Sequence, residues 1–226
     1  MKHVPVLRCQ RLIWVSVFSL LASGCAGLLP KAPPPPSFYA LDGFATSTSP
    51  KRSVPAPGAR PLNLGPTLIV NPPHAAAGFD SARLIYVRQA HHLQYFAHSE
   101  WVDTPARMAA PLIVAALQRS TRLSAVLLTP SSAHGDLRLD TEILRLQHDF
   151  TASPSRVRLS LRVTLVDNAT RRVLAWRELD HMSVAPSEDA YGGVVAANVA
   201  WQAALADLVN FAEEAASRWQ PPPPRQ

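Results

Sequence analysis

The sequence predicts an α+β domain, a mainly antiparallel sheet with two principal helices packed on it, in a single domain. Three observations predict it. Val157 to Leu165 carries an aliphatic residue at every odd position and a polar one at every even position, the period of a strand with one buried face. Ala190 to about Arg218 sets Val194, Ala197, Trp201, Leu205, Leu208, Ala212 and Ala215 along one helical stripe. Strands come first, then a helix, strands again and a final helix, an order that suits helices laid on a sheet.

The chain opens on a leader. Lys2, Arg8 and Arg11 make a basic start and Leu12 to Leu21 an apolar run, too short to cross a bilayer core of roughly 30 Å, so the run reads as an export signal. It closes on Ser23-Gly24-Cys25, which resembles a bacterial lipobox. Residues 1–24 are then a lipoprotein signal peptide and Cys25 the lipidated mature N-terminus. A plain cleavable signal ending near Ala22-Ser23-Gly24 is the alternative. More than one acyl chain, at about 0.8 kcal/mol per buried methylene, holds a protein on a membrane. Ala26, standing where retained lipoproteins resemble one another in carrying aspartate, favours the outer membrane and its periplasmic face.

Residues 25–36, with Pro30 and the run Pro33 to Pro36, read as an extended tether at about 3.1 Å per residue. The domain is expected over 37–219. Phe38 to Asp42 reads as its first short strand, and 43–66 as a proline-rich loop; the alternative is linker throughout to Pro66. Leu68-Ile69-Val70 is a strand stopped by Asn71-Pro72-Pro73. Arg83 to Arg88 and Leu93 to His98 form a hairpin across Gln89 to His92. Thr104-Pro105 starts a helix with a capping hydroxyl and proline at its first position, and Met108, Leu112, Ala115 and Ala116 share a face. Pro111 is expected to kink or delay that helix.

Ala125 to Leu128 is a short strand. Leu137, Leu139 and Ile143 alternate, then the apolar side passes to Leu144 and Leu146, which predicts a bulge near Ile143. Asp167 to Thr170 turns the chain from the Val157 strand into Arg172 to Asp180, a long antiparallel hairpin. Pro221 to Pro224 ends the last helix, and 220–226 is a free tail.

The 226-residue chain has 22 Lys+Arg and 16 Asp+Glu. Three of the bases lie in the leader, which leaves 19 against 16, a net +3, so nothing implies nucleic acid. Cys9 falls in the leader and Cys25 is the lipid site, so no disulfide or cysteine-bound metal is expected.

Signals for catalysis are poor. There is no G-x-S-x-G elbow, Walker loop or G-x-G-x-x-G, and Gly192-Gly193 reads as a pair near a helix start. No cofactor is expected, and no enzyme. His91, His92 and His98 share a hairpin but read better as exposed histidines than as a metal site. Asp140 and Glu142 face one way and read as partners of Arg158 and Arg162 on the next strand, rather than as an acid–base pair. Tyr86, Tyr95, Phe96 and Trp101 concentrate the aromatic residues. One reading buries them beneath the first helix; another sets some at a rim with Arg83 and Arg88 as companions, since aromatics and arginine dominate interface hot spots. A groove lined by Met108, Leu112 and Ile113, with phospholipid as occupant, is a third.

The lipobox, Phe38-Tyr39-Ala40-Leu41, the segment Gly78-Phe79-Asp80-Ser81-Ala82-Arg83-Leu84-Ile85-Tyr86-Val87-Arg88, Tyr95, Trp101 and Pro105 together resemble the ABC-type transport auxiliary lipoproteins. These PqiC-like proteins accompany MCE-type lipid transport systems. The resemblance runs over nearly the whole mature chain up to the last helix. It implies a non-enzymatic periplasmic domain tethered to the outer membrane, docked on an MCE protein and contributing to membrane integrity. Arg83, Tyr86, Arg88, Tyr95 and Trp101 are then the candidate partner-binding residues, and a homo-oligomer would suit a symmetric partner. A structural or assembly lipoprotein binding an outer-membrane protein or the cell wall is the alternative function.

Overall fold

In the computed structural model, residues 35–42 and 65–221 are described. The signal peptide, Cys25, the tether up to residue 34, the loop over 43–64 and the tail from 222 lie outside the described residues. The described residues from Pro36 onward fall in one compact unit.

Among the described residues nine strands and two helices follow in chain order: β1 (Ser37–Tyr39), β2 (Thr67–Val70), β3 (His74–Ala75), β4 (Arg83–Gln89), β5 (His92–Trp101), α1 (Pro105–Leu117), β6 (Ala125–Leu128), β7 (Leu137–Asp149), β8 (Arg156–Asp167), β9 (Val173–Val184) and α2 (Ala190–Ser217). The sheet is built on β7. Along one edge β7 pairs with β8 over its full length, and β9 lies beyond β8. Along its other edge it meets β2 at Leu137 to Leu139, β3 at Glu142 and Ile143, and β4 at His148 and Asp149. The sheet therefore divides on that side into two wings, one continuing from β2 to β6 and the other from β4 through β5 to β1.

The sheet is mixed, with its long ladders antiparallel and its short ones parallel. The three ladders β4–β5, β7–β8 and β8–β9 are antiparallel, as tight connections require. All five other pairings are parallel. They join strands distant in sequence, whose direction is set by the long connections between them rather than by a turn.

The alternating strand behaves as its sequence demands. Leu159, Leu161, Val163 and Leu165 are fully buried, and the polar even positions lie on the opposite, helix-free face. In β7 the register slips between Ile143 and Arg145, so Leu144 is the bulged residue and burial resumes at Leu146 and His148. The β4–β5 hairpin turns at Ala90-His91, with His91 at φ 65°.

α1 starts at Pro105 and runs on through Pro111, so Pro111 does not delay it; Pro111 and Arg107, whose carbonyl it leaves without a helix donor, both lie on the exposed side. The Thr104 hydroxyl makes no capping bond. Asp103 Oδ1 instead accepts the Thr104 N–H at 2.7 Å. The buried face also differs from expectation: Ala115 is exposed, while Ala109, Ile113 and Leu117 join Leu112 and Ala116 inside. α2 starts where Asp189 Oδ1 accepts the N–H of Gly192 at 2.7 Å. By length and composition this helix is able to cross a membrane, but its apolar stripe is the core of the domain: Trp201 and Leu208 are fully buried in one cluster with the β8 leucines. β1, the predicted Phe38 strand, pairs in parallel with the end of β5, and Asn198 of α2 holds its exit by accepting the N–H of Asp42 at 2.9 Å and donating to Ala40 O at 3.2 Å.

Candidate functional site

The β4–β5 hairpin presents two faces, and its register says which residues share each. Ile85 stands opposite Tyr95, whereas Tyr86 stands opposite Gln94 and beside His148 of β7. Neighbouring residues of a strand point to opposite faces, so Tyr86 and Tyr95 do not belong to one surface.

On the helix side lies an aromatic cluster. Tyr86 packs 4.7 Å from Phe96 and 5.9 Å, edge on, from Phe150, and His148 lies 4.0 Å from Phe150 between ring centres. The Arg88 guanidinium stands 5.5 Å over Tyr86 and 5.0 Å over Phe150, capping the cluster on its exposed side. On the other face the Arg83 guanidinium stands 5.0 Å over Tyr95, whose ring is 41 % exposed. Trp101 is only 4 % exposed and belongs to the core, so it offers no surface to a partner.

Beneath the cluster the α2 N-terminus, β4 and β5 enclose a cavity of about 20 Å³, lined by Leu84, Phe96, Trp101, Leu146, His148 and Gly193 among others. That is room for about one water molecule. His148 Nε2 and Ser155 Oγ are 2.8 Å apart, and Ser155 donates its backbone N–H to Glu188 Oε1 at 2.9 Å. Burial pushes the His148 imidazole below its ordinary pKa, against the opposing pull of Glu188, Asp189 and Asp149. Gly192 and Gly193, read from sequence as an incidental pair, are required here. A Cβ on Gly192 would meet Ser187 O at 2.1 Å, and one on Gly193 would meet His148 Nδ1 at 2.5 Å.

His148 and Phe150 were missing from the sequence-based site. The signal was present: once the bulge resets the phase at Leu146, period two carries His148 to the core face. The carboxylate pairs also differ in part. Glu142 meets Arg162 at 3.0 Å as expected, but Asp140 pairs with Arg138 at 3.1 Å and accepts from Asn71 Nδ2 at 2.6 Å, while Arg158 pairs with Asp149 at 2.8 Å. The bulge shifts the ladder, setting Gln147 opposite Arg158 with Asp149 two residues along the strand. Leu112 and Ile113 are core residues, and the Met108 sulfur accepts the N–H of Leu41 at 3.5 Å, so these three line no groove. His91, His92 and His98 lie on the exposed hairpin, and among the described residues no three His, Cys, Asp or Glu side chains are grouped to hold a metal ion.

The family described as ABC-type transport auxiliary lipoprotein component matches residues 47–210. The chain belongs to that family. It is therefore an auxiliary lipoprotein of ABC-type transport, of a family of membrane-anchored lipoproteins and transport components. No curated protein sequence matches it. Among solved structures, the auxiliary lipoprotein is similar to a DUF330-family protein of Xanthomonas campestris, with a TM-score of 0.64 and 22% identity, over 71% of this chain and 90% of that one. It is also similar to an uncharacterized protein, with a TM-score of 0.58 and 12% identity, over 79% and 99% of the two chains. At these identities the likeness is one of fold.

Proposed function

We propose that this auxiliary lipoprotein serves an MCE-type ABC lipid transport system from the periplasmic face of the outer membrane, anchored through acyl chains on Cys25. The observation that carries the reading is family membership in a chain whose leader ends on Ser23-Gly24-Cys25-Ala26. Arg83 with Tyr95 on one face of the β4–β5 hairpin, and Arg88 with Tyr86 on the other, are the side chains that dock the MCE protein, which clasps the hairpin from both sides. Each pairs an exposed guanidinium with an aromatic ring already held in place, so little freedom is lost on binding. The domain acts by joining components, and transport supports membrane integrity.

The test is a crosslinking pull-down of the full lipoprotein from its own envelope, wild type against Cys25→Ala, with proteins and lipids both analysed. An MCE protein recovered with wild type and depleted with Cys25→Ala is the expected result. Recovery of no transporter component in either sample would overturn the reading.

A further inference from the structure

The sheet ends at β9, and β9 is a long edge. Among the described residues it pairs with β8 alone, so its outer row of backbone N–H and C=O groups has no strand partner. Natural edges are blunted by charged side chains, by proline, by brevity or by a bulge along their length. β9 runs for 12 residues, its register irregularity lies at its very start, opposite Leu165 and Val166, and from Ala175 to Val184 it holds neither proline nor lysine, so Arg177, Glu178 and Asp180 are the charges that guard it.

The register shows what the free edge displays. Trp176, Glu178, Asp180, Met182 and Val184 stand opposite Thr164, Arg162, Ser160, Arg158 and Arg156, on the face away from α2. Trp176 is 65 % exposed, and Met182 and Val184 are each 61 % exposed. Apolar side chains of this size left in water along an unpaired edge mark an interaction site. Between them β9 itself presents two carboxylates, Glu178 and Asp180. Of the guanidiniums on β8, Arg162 serves both Glu142 at 3.0 Å and Glu178 at 2.8 Å, Arg158 pairs with Asp149 at 2.8 Å and Arg156 stands opposite Asp149, while Asp180 has only the Ser160 hydroxyl at 2.5 Å.

We propose that the free edge of β9 is a strand-addition site for an extended segment of a partner protein, apolar at its two ends and basic in the middle. The open ladder supplies main-chain hydrogen bonds, and the alternate side chains supply choice of sequence. Trp176 at one end and Met182 with Val184 at the other take the apolar side chains, while Glu178 and Asp180 take the basic ones. This goes beyond the transporter reading and does not depend on it.

A photo-crosslinking amino acid in place of Trp176, and separately in place of Met182, tests it in the full lipoprotein in its own cells. Both positions are expected to capture one linear segment of one partner protein, the captured residues about six apart, with lysine or arginine between them. Capture of a second copy of this chain, of lipid, of residues that share no linear segment, or of nothing overturns the proposal. Glu178→Arg with Asp180→Arg is expected to cut capture at both positions at least tenfold in a protein that still melts cooperatively. Should the double variant fail to fold, Asp180→Lys, which disturbs only the Ser160 contact, is expected to cut capture several-fold; undiminished capture overturns the proposal. A captured segment from a protein outside any MCE system leaves the β9 site standing and leaves the transporter reading to the Cys25→Ala pull-down.

Discussion

Gly193 leaves no room for a side chain. Its missing Cβ is the space in which the His148 ring lies, and that ring is fixed by Ser155 on one side and Phe150 on the other. Gly193→Ala is therefore expected to destabilise the domain by about 1–3 kcal/mol, the usual cost of overpacking, read from urea unfolding. The gain in helix propensity, about 1 kcal/mol, offsets only part of the clash. His148 itself ties stability to pH. Because burial lowers its folded pKa, the unfolded chain takes up a proton first as pH falls below about 6.5, and stability is lost from there down through the folded value. His148→Gln is expected to flatten stability between pH 7 and pH 5, measured by urea midpoints. A second loss follows nearer pH 4. There the Thr170 N–H and the Trp219 indole hold the Asp167 carboxylate, and the Gly192 N–H and the Ser187 hydroxyl hold that of Asp189, both below the ordinary range.

α2 joins the strongest local signal to the largest buried side chain. Every residue of the stripe from Val194 to Ala215 is buried, though the buried face is wider and also takes in Ala196, Ala200, Ala204, Phe211 and Ala216, and the helix ends within a residue of the expected bound. Trp201→Ala empties the centre of that face and is expected to cost about 3–5 kcal/mol, read from the same urea unfolding. β8 was equally legible, since a period of two over nine residues has no helical competitor. β7 was legible as far as its bulge, because a change of apolar side requires an extra residue there. α1 was less so. Thr104 carries a capping residue type, but its hydroxyl makes no capping bond and Asp103 binds only the N–H of Thr104 itself, while Pro111 is tolerated on the exposed side.

At the scale of the molecule, alternation shows which side of a strand is wet but not which strand lies beside it. Hence the two long hairpins were readable, and the parallel contacts of β2, β3 and β4 along β7 were not, since 60 or more residues separate partners such as Leu68 and Leu137. The candidate site divides in the same way. Arg83 and Tyr95 meet within one hairpin, whereas Tyr86 and Arg88 complete their cluster only with Phe150 from β7's end. The division of the sheet into wings also decides how the domain responds to tension. A pull arriving from the N-terminal side meets β1 first, three residues of parallel ladder and two hydrogen bonds from Asn198, at the tip of the wing farthest from β8. Behind that seam stands Leu41, buried in the core, so a load is met by β1 and Leu41 before it reaches β7. β1 thus acts as a mechanical fuse, the part that yields while the sheet behind it stays folded.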